Sequence, residues 1–136
     1  MGRAVASRHR ILLVDDDQDL RLGLQVRLTA CGFQVDCAED GSHAIHAVDQ
    51  QRPDVIILDL TMPATGGFRV LDWLRGHAAV ANIPVIVVTA RDAICYKADA
   101  LAAGAVAFFQ KPVDNHELLA EIVRVLKKAA ANARQA

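Results

Sequence analysis

The run Val55-Ile56-Ile57-Leu58, closed by Asp59 and fenced by Pro53 and Pro63, narrows the folds open to this chain more than any other stretch. Four consecutive apolar residues, three of them β-branched, suit a pleated strand covered on both faces. Continuous rather than alternating hydrophobicity belongs to the interior of a parallel sheet. A carboxylate at the carboxyl end of such a strand is either a polar stop or the centre of a site, because open α/β sheets bind ligands beyond those ends. The pattern recurs. Ile11-Leu12-Leu13-Val14 runs into Asp15, Asp16 and Asp17, and Val85-Ile86-Val87-Val88 runs into Thr89-Ala90.

Helical patterns separate these runs. From about Gln18 to Cys31, Leu20, Leu24 and Leu28 recur at four-residue spacing, Leu22 and Val26 are expected to widen the apolar face, and Gly32 stands where a left-handed end residue is needed. Phe33 to Ala38 reads as a strand, and a weaker helix follows from about Gly41 to Gln51, with Ala44, Ile45 and Val48 inward. Thr61 to Gly67 has the composition of a loop. Phe68, Leu71 and Leu74 then begin a helix, with Val70 and Trp73 flanking. Another helix is expected from about Asp92 to Gly104, and Val106 to Phe109 is a short strand ending at Lys111-Pro112. Asp114, with Glu117 three residues on, caps a last helix that buries Leu118, Leu119, Ile122, Val125 and Leu126 and ends near residue 130, with the alanine-rich tail to Ala136 expected either to prolong it or to fray. Five strand and helix pairs in strict alternation predict a doubly wound α/β domain, a five-stranded parallel sheet with helices on both faces. Residues 1–9 are expected to form a loose arm, 10–130 the domain and 131–136 a tail.

The formal charge of −1 over 136 residues gives no reason to expect nucleic acid or a membrane surface as a bulk partner. Cys31, Cys37 and Cys95 are odd in number and form no C-x-x-C pair, so they read as reduced core thiols of a cytoplasmic protein. The first ten residues lack the apolar segment of a signal peptide, and no run is long enough to span a bilayer.

If the strands take the order 2-1-3-4-5, then Asp15, Asp16, Asp59, Thr89 and Lys111 meet in one crevice at the carboxyl edge of the sheet. Singly, each has an ordinary explanation: acids cap helices, threonine satisfies backbone, lysine is solvated. Together they pose an electrostatic problem, since carboxylates in one crevice repel unless a cation compensates them. An all-oxygen donor set suits Mg²⁺ better than Zn²⁺. A metal, the Lys111 ammonium and the Thr89 hydroxyl around one carboxylate are what phosphoryl transfer to that carboxylate would need.

The chain resembles a response regulator receiver domain of the CheY-like type. The resemblance rests on Leu12-Leu13-Val14-Asp15-Asp16, Asp59-Leu60-Thr61-Met62-Pro63 with Gly67, Thr89-Ala90, Gly104-Ala105 and Lys111-Pro112, and it covers about residues 10 to 128. It implies a flavodoxin-like fold and a phosphoacceptor signalling domain of a two-component system, a switch rather than an enzyme. Asp59 would be the phosphoacceptor; Asp16, Asp59 and the backbone carbonyl of Thr61 would bind Mg²⁺, with Asp15 helping through a water. Thr89 would hydrogen-bond the phosphoryl group, Lys111 would pair with it, and the Lys111–Pro112 peptide would be cis. Phe108 falls at the aromatic switch position, where the absence of a hydroxyl excludes a polar latch. Thr61 and Arg91 fall where the family tunes the lifetime of its phosphoryl group. Gly66 and Val106-Ala107 depart from acids common in the family, which implies a less charged output face.

The implied partners are a sensor histidine kinase or phosphotransfer protein and an output partner or domain. The face made by the fourth helix, fifth strand and fifth helix would change on phosphorylation, and Ala98, Leu101, Ala102 and Phe108 mark a candidate partner or homodimer surface on it. No output domain is expected within these residues, which fits a stand-alone regulator or the receiver of a longer protein. Two rivals fare worse. A phosphatase with an aspartyl nucleophile would need an acid where Thr61 stands. A flavin carrier would need a phosphate-cradling loop where three aspartates stand.

Overall fold

The computed structural model of the chain describes residues 9–62 and 66–135. The middle of the loop expected from Thr61 to Gly67, residues 63–65, and all but the last residue of the expected N-terminal arm lie outside the described residues. Ten elements alternate along the chain: β1 (Arg10–Val14), α1 (Gln18–Ala30), β2 (Gln34–Ala38), α2 (Gly41–Gln50), β3 (Val55–Leu58), α3 (Gly67–Arg75), β4 (Val85–Thr89), α4 (Ala93–Ala102), β5 (Ala107–Gln110) and α5 (Asn115–Gln135). The strands form one parallel sheet in the order β2-β1-β3-β4-β5. The expected topology is therefore the one observed.

The inner strands bury both faces, as their unbroken apolar runs require. Leu12, Val14, Ile56, Leu58, Val85 and Val87 pack into one core with α2, α3 and α4, whereas Ile11, Leu13, Val55, Ile57, Ile86 and Val88 pack into a second with α1 and α5. Each branched side chain buried in this way contributes ~1.5–3 kcal/mol. Four of the five helices start at aspartates that bond to orphan amides: Asp17 accepts from Leu20, Asp40 from His43, Asp92 from Ile94, and Asp114 from both His116 and Glu117, whereas α3 starts at Gly66 without a side-chain cap. Gly32 and Gly104 take positive φ angles of 100° and 115°, where a side chain would be strained.

Several expectations are corrected. Leu22 and Val26 do not widen the apolar face of α1; they are 57% and 61% exposed. A step of two residues turns a helical side chain by about 200°, so both point away from the stripe that Leu24 and Leu28 bury. The cysteines are not core thiols: Cys37 on the edge strand and Cys95 on α4 are exposed, and Cys31 at the end of α1 is half-buried. Val70 is buried in the core while Phe68 only packs against its margin. Of the two courses open to the alanine-rich tail, prolonging the last helix is the one observed, since α5 runs to Gln135.

Candidate functional site

Backbone pairing continues one residue past the strands and places the side chains of interest. The Asp15 amide donates to the Ala38 carbonyl at 3.1 Å, the Asp59 amide to the Val14 carbonyl at 3.0 Å, and the Lys111 amide to the Thr89 carbonyl at 2.8 Å. Residues from four strand ends are thereby held at one edge in fixed register. A second layer of bonds fixes Asp15, whose Oδ1 accepts the Asp17 amide at 2.9 Å and whose carbonyl accepts from the Arg21 guanidinium.

The Lys111 ammonium lies between two carboxylates, 2.8 Å from Asp15 Oδ2 and 3.3 Å from Asp59 Oδ2. The side chains of Asp15 and Asp59 are each only 4% exposed, and that of Lys111 15%. Burial pushes the Asp15 carboxyl above the usual carboxylate range, against the opposing pull of Lys111. Burial also works against the charge of Lys111, but bonds and attraction to Asp15 and Asp59 outweigh it and hold the lysine above its ordinary value. One lysine thus faces a carboxylate cluster with more negative charge than it can balance. Asp16, exposed at the mouth, completes the cluster: Asp15, Asp16 and Asp59 each offer a carboxylate oxygen within 4.8 Å of the others. All three donors are hard oxygens and the set carries excess negative charge, which fits a divalent ion of the Mg²⁺ kind.

The hydroxyls lie beside the carboxylates. Thr61 donates its amide to Asp59 Oδ1 at 3.0 Å, and its hydroxyl stands 3.5 Å from that of the fully buried Thr89. Thr89 Oγ1 accepts the Arg91 amide at 3.3 Å, and Arg91 Nε donates to Thr61 Oγ1 at 2.9 Å. The Lys111–Pro112 peptide is cis. Phe108 is buried in the core opposite Val87, so it does not form an exposed patch with Ala98, Leu101 and Ala102. The structure thus gathers Asp15, Asp16, Asp59, Thr61, Thr89, Arg91 and Lys111 at one edge and sets Phe108 in the packing of β5.

Two contributors, Arg21 and Tyr96, leave no mark in the sequence, and a third, Gly67, leaves one whose reason the sequence does not give. Arg21 anchors the Asp15 backbone from α1, a pairing six residues apart that helix periodicity does not single out. Tyr96 receives Arg91 Nη1 at 2.9 Å. Gly67 carries a signal, the paired glycines, but a different reason. A Cβ there would lie 2.5 Å from the Asp59 carbonyl oxygen and 2.7 Å from Leu60 Cα, so the first turn of α3 rests directly on the backbone just past β3. Gly66, by contrast, is needed for its φ of 72°.

Comparison with known proteins agrees with this architecture. A family model described as the response regulator receiver domain matches residues 11–123. The response regulator MprA of Mycobacterium tuberculosis is 38% identical over 119 residues, covering 88% of this chain and 51% of its own length. MprA of Mycobacterium leprae is 39% identical over 119 residues with the same coverage. The chain spans about half the length of these relatives. Among solved structures, the chemotaxis protein CheY4 of Vibrio cholerae superposes with a TM-score of 0.80 at 30% identity, over 86% of this chain and 98% of that one. The receiver domain of the Francisella response regulator 1452 gives 0.83 at 27% identity, over 90% and 99%. Among the described residues, no helix is long and apolar enough to cross a membrane.

Proposed function

Since the chain belongs to the family of response regulator receiver domains, we propose that Asp59 is its phosphoacceptor and that a histidine kinase or phosphotransfer protein is the donor. A carboxylate oxygen of Asp59 attacks phosphorus and forms the P–O bond. The bond from phosphorus to the donor's imidazole nitrogen breaks, and the imidazole leaves with the electron pair. The observation that carries this reading is the placing of the Lys111 ammonium against both Asp15 and Asp59, a positive charge beside the carboxylate on which charge develops.

Asp15, Asp16, Asp59 and the backbone carbonyl of Thr61 would hold Mg²⁺, which supplies neutralising charge for the carboxylates and the phosphoryl oxygens when bound. Lys111 pairs with one phosphoryl oxygen, and the Thr89 hydroxyl donates to another. Thr61 and Arg91, at the mouth, govern the access of water and hence the lifetime of the acyl phosphate. The module is a switch rather than an enzyme. Drawing Thr89 toward the phosphoryl group alters the space beside Phe108 on the neighbouring strand and biases the face of α4, β5 and α5. Support for a partner or homodimer surface there comes from Ile94, 93% exposed, with Leu101 and Val106 also exposed.

Incubation with Mg²⁺ and acetyl phosphate tests the reading by intact mass. A single phosphoryl adduct is expected on the wild type and none on Asp59→Asn. No adduct on the wild type, or one that survives the substitution, overturns it.

A further inference from the structure

Arg91 is held from both ends. Its Nε donates to Thr61 Oγ1 at 2.9 Å, while Nη1 donates to the Tyr96 hydroxyl at 2.9 Å and the guanidinium carbon lies 5.0 Å from the centroid of the Tyr96 ring. A hydrogen bond and a cation–π contact from one side chain are an unusual investment in an exposed arginine, whose rotamer freedom is large and is lost when it is fixed. The anchor itself is firm, because Tyr96 is half-buried and packs on the core cluster that contains Phe108. At the other end, the Thr61 amide binds Asp59 Oδ1, and the Thr61 hydroxyl neighbours that of Thr89. Tyr96 is the chain's only tyrosine, and Phe108 of β5, a member of the cluster against which it packs, has no hydroxyl.

We propose that Tyr96 is a positioning residue for the acceptor site: it holds Arg91 across Thr61 and so ties the loop after β3 to α4. This inference rests on the reading of Asp59 as phosphoacceptor. A phosphoryl group on Asp59 presents charged oxygens beside Thr61 that compete for the Arg91 Nε–H, since charge-assisted bonds outweigh neutral ones. Tyr96 retains Nη1, so the guanidinium pivots beneath the ring instead of leaving for solvent. It then covers the acyl phosphate against water, and its displacement is felt on α4. The polar aromatic contact that Phe108 cannot make is made by Tyr96 on the adjoining helix.

The test uses the full chain in two forms, with 3-fluorotyrosine at its single tyrosine and as Tyr96→Phe, each treated with Mg²⁺ and acetyl phosphate. Tyr96→Phe keeps the ring in the core and removes only the hydroxyl, so an unchanged thermal midpoint checks that it folds. The fluorine resonance is expected to move on phosphorylation. After removal of the donor, the variant is expected to lose its phosphoryl group roughly two- to tenfold faster, the effect of one net hydrogen bond. If the wild type acquires its adduct but the resonance stays in place, or the variant decays at the wild-type rate, the role of Tyr96 is overturned and the phosphoacceptor reading stands. If no adduct forms on the wild type, the phosphoacceptor reading itself falls, and this inference with it.

Discussion

Asp15 shows most plainly how a single residue is placed against its own interest. Its carboxylate is desolvated beside Asp59, and Lys111 compensates only part of the cost, so its pKa is raised by burial. A carboxyl with a raised folded-state pKa favours the fold fully below the unfolded value of 3.8, and that contribution is lost as pH rises through the folded value. At neutral pH the ionised group is therefore a burden on the metal-free protein. Asp15→Asn is expected to raise unfolding free energy at pH 7 by on the order of 1 kcal/mol. The gain should vanish near pH 3, which urea titrations at the two pH values would measure. A loss of stability at pH 7 would show that Lys111 compensates Asp15 in full.

Among the elements, α3 depends most on what is missing from a side chain. Its first residue, Gly67, approaches the Asp59 carbonyl so closely that any Cβ collides with backbone, which cannot swing aside as a flexible side chain would. Gly67→Ala is expected to cost ~2 kcal/mol or more, in the range of overpacked sites. It should also slow phosphorylation by acetyl phosphate, because the strand end and the helix must separate. An alanine variant with wild-type stability and rate would contradict this. The paired glycines are legible in the sequence as a loop signal. That one serves a left-handed backbone and the other a close approach is not, because nothing in the local sequence says which segment comes to rest on which. By contrast, the exposure of Leu22 and Val26 on α1 follows from helix geometry that the sequence does carry, since each stands two residues from the buried stripe.

At the scale of the whole molecule, the sheet gathers carboxylates that repel, and binding of a divalent ion should therefore stabilise the fold. Mg²⁺ at about one hundred times its Kd is expected to raise unfolding free energy by ~2.7 kcal/mol if it binds only the native state. Asp16→Asn should remove most of that increment, because Asp16 is the exposed member of the cluster while Lys111 bridges the other two acids. Thermal unfolding with Mg²⁺ and with chelator would check both, and equal stabilisation of wild type and variant would exclude Asp16 from the site.

The class of fold, the five strand and helix pairs, and the five polar residues that meet at the strand ends are all legible in the sequence. Those features are written in local periodicity, in β-branched runs and in abrupt polar stops, all read within a few residues of one another. Its strand order needed the resemblance. Assembly of the fold settles which apolar side chains find a partner, that the cysteines at positions 37 and 95 face outward, that Arg21 and Gly67 support the acid-bearing strand ends, and that Arg91 bridges Thr61 and Tyr96. The physical reason is range. Burial and long side-chain bonds depend on surfaces brought together from distant parts of the chain, and no local pattern records which surface each residue will meet.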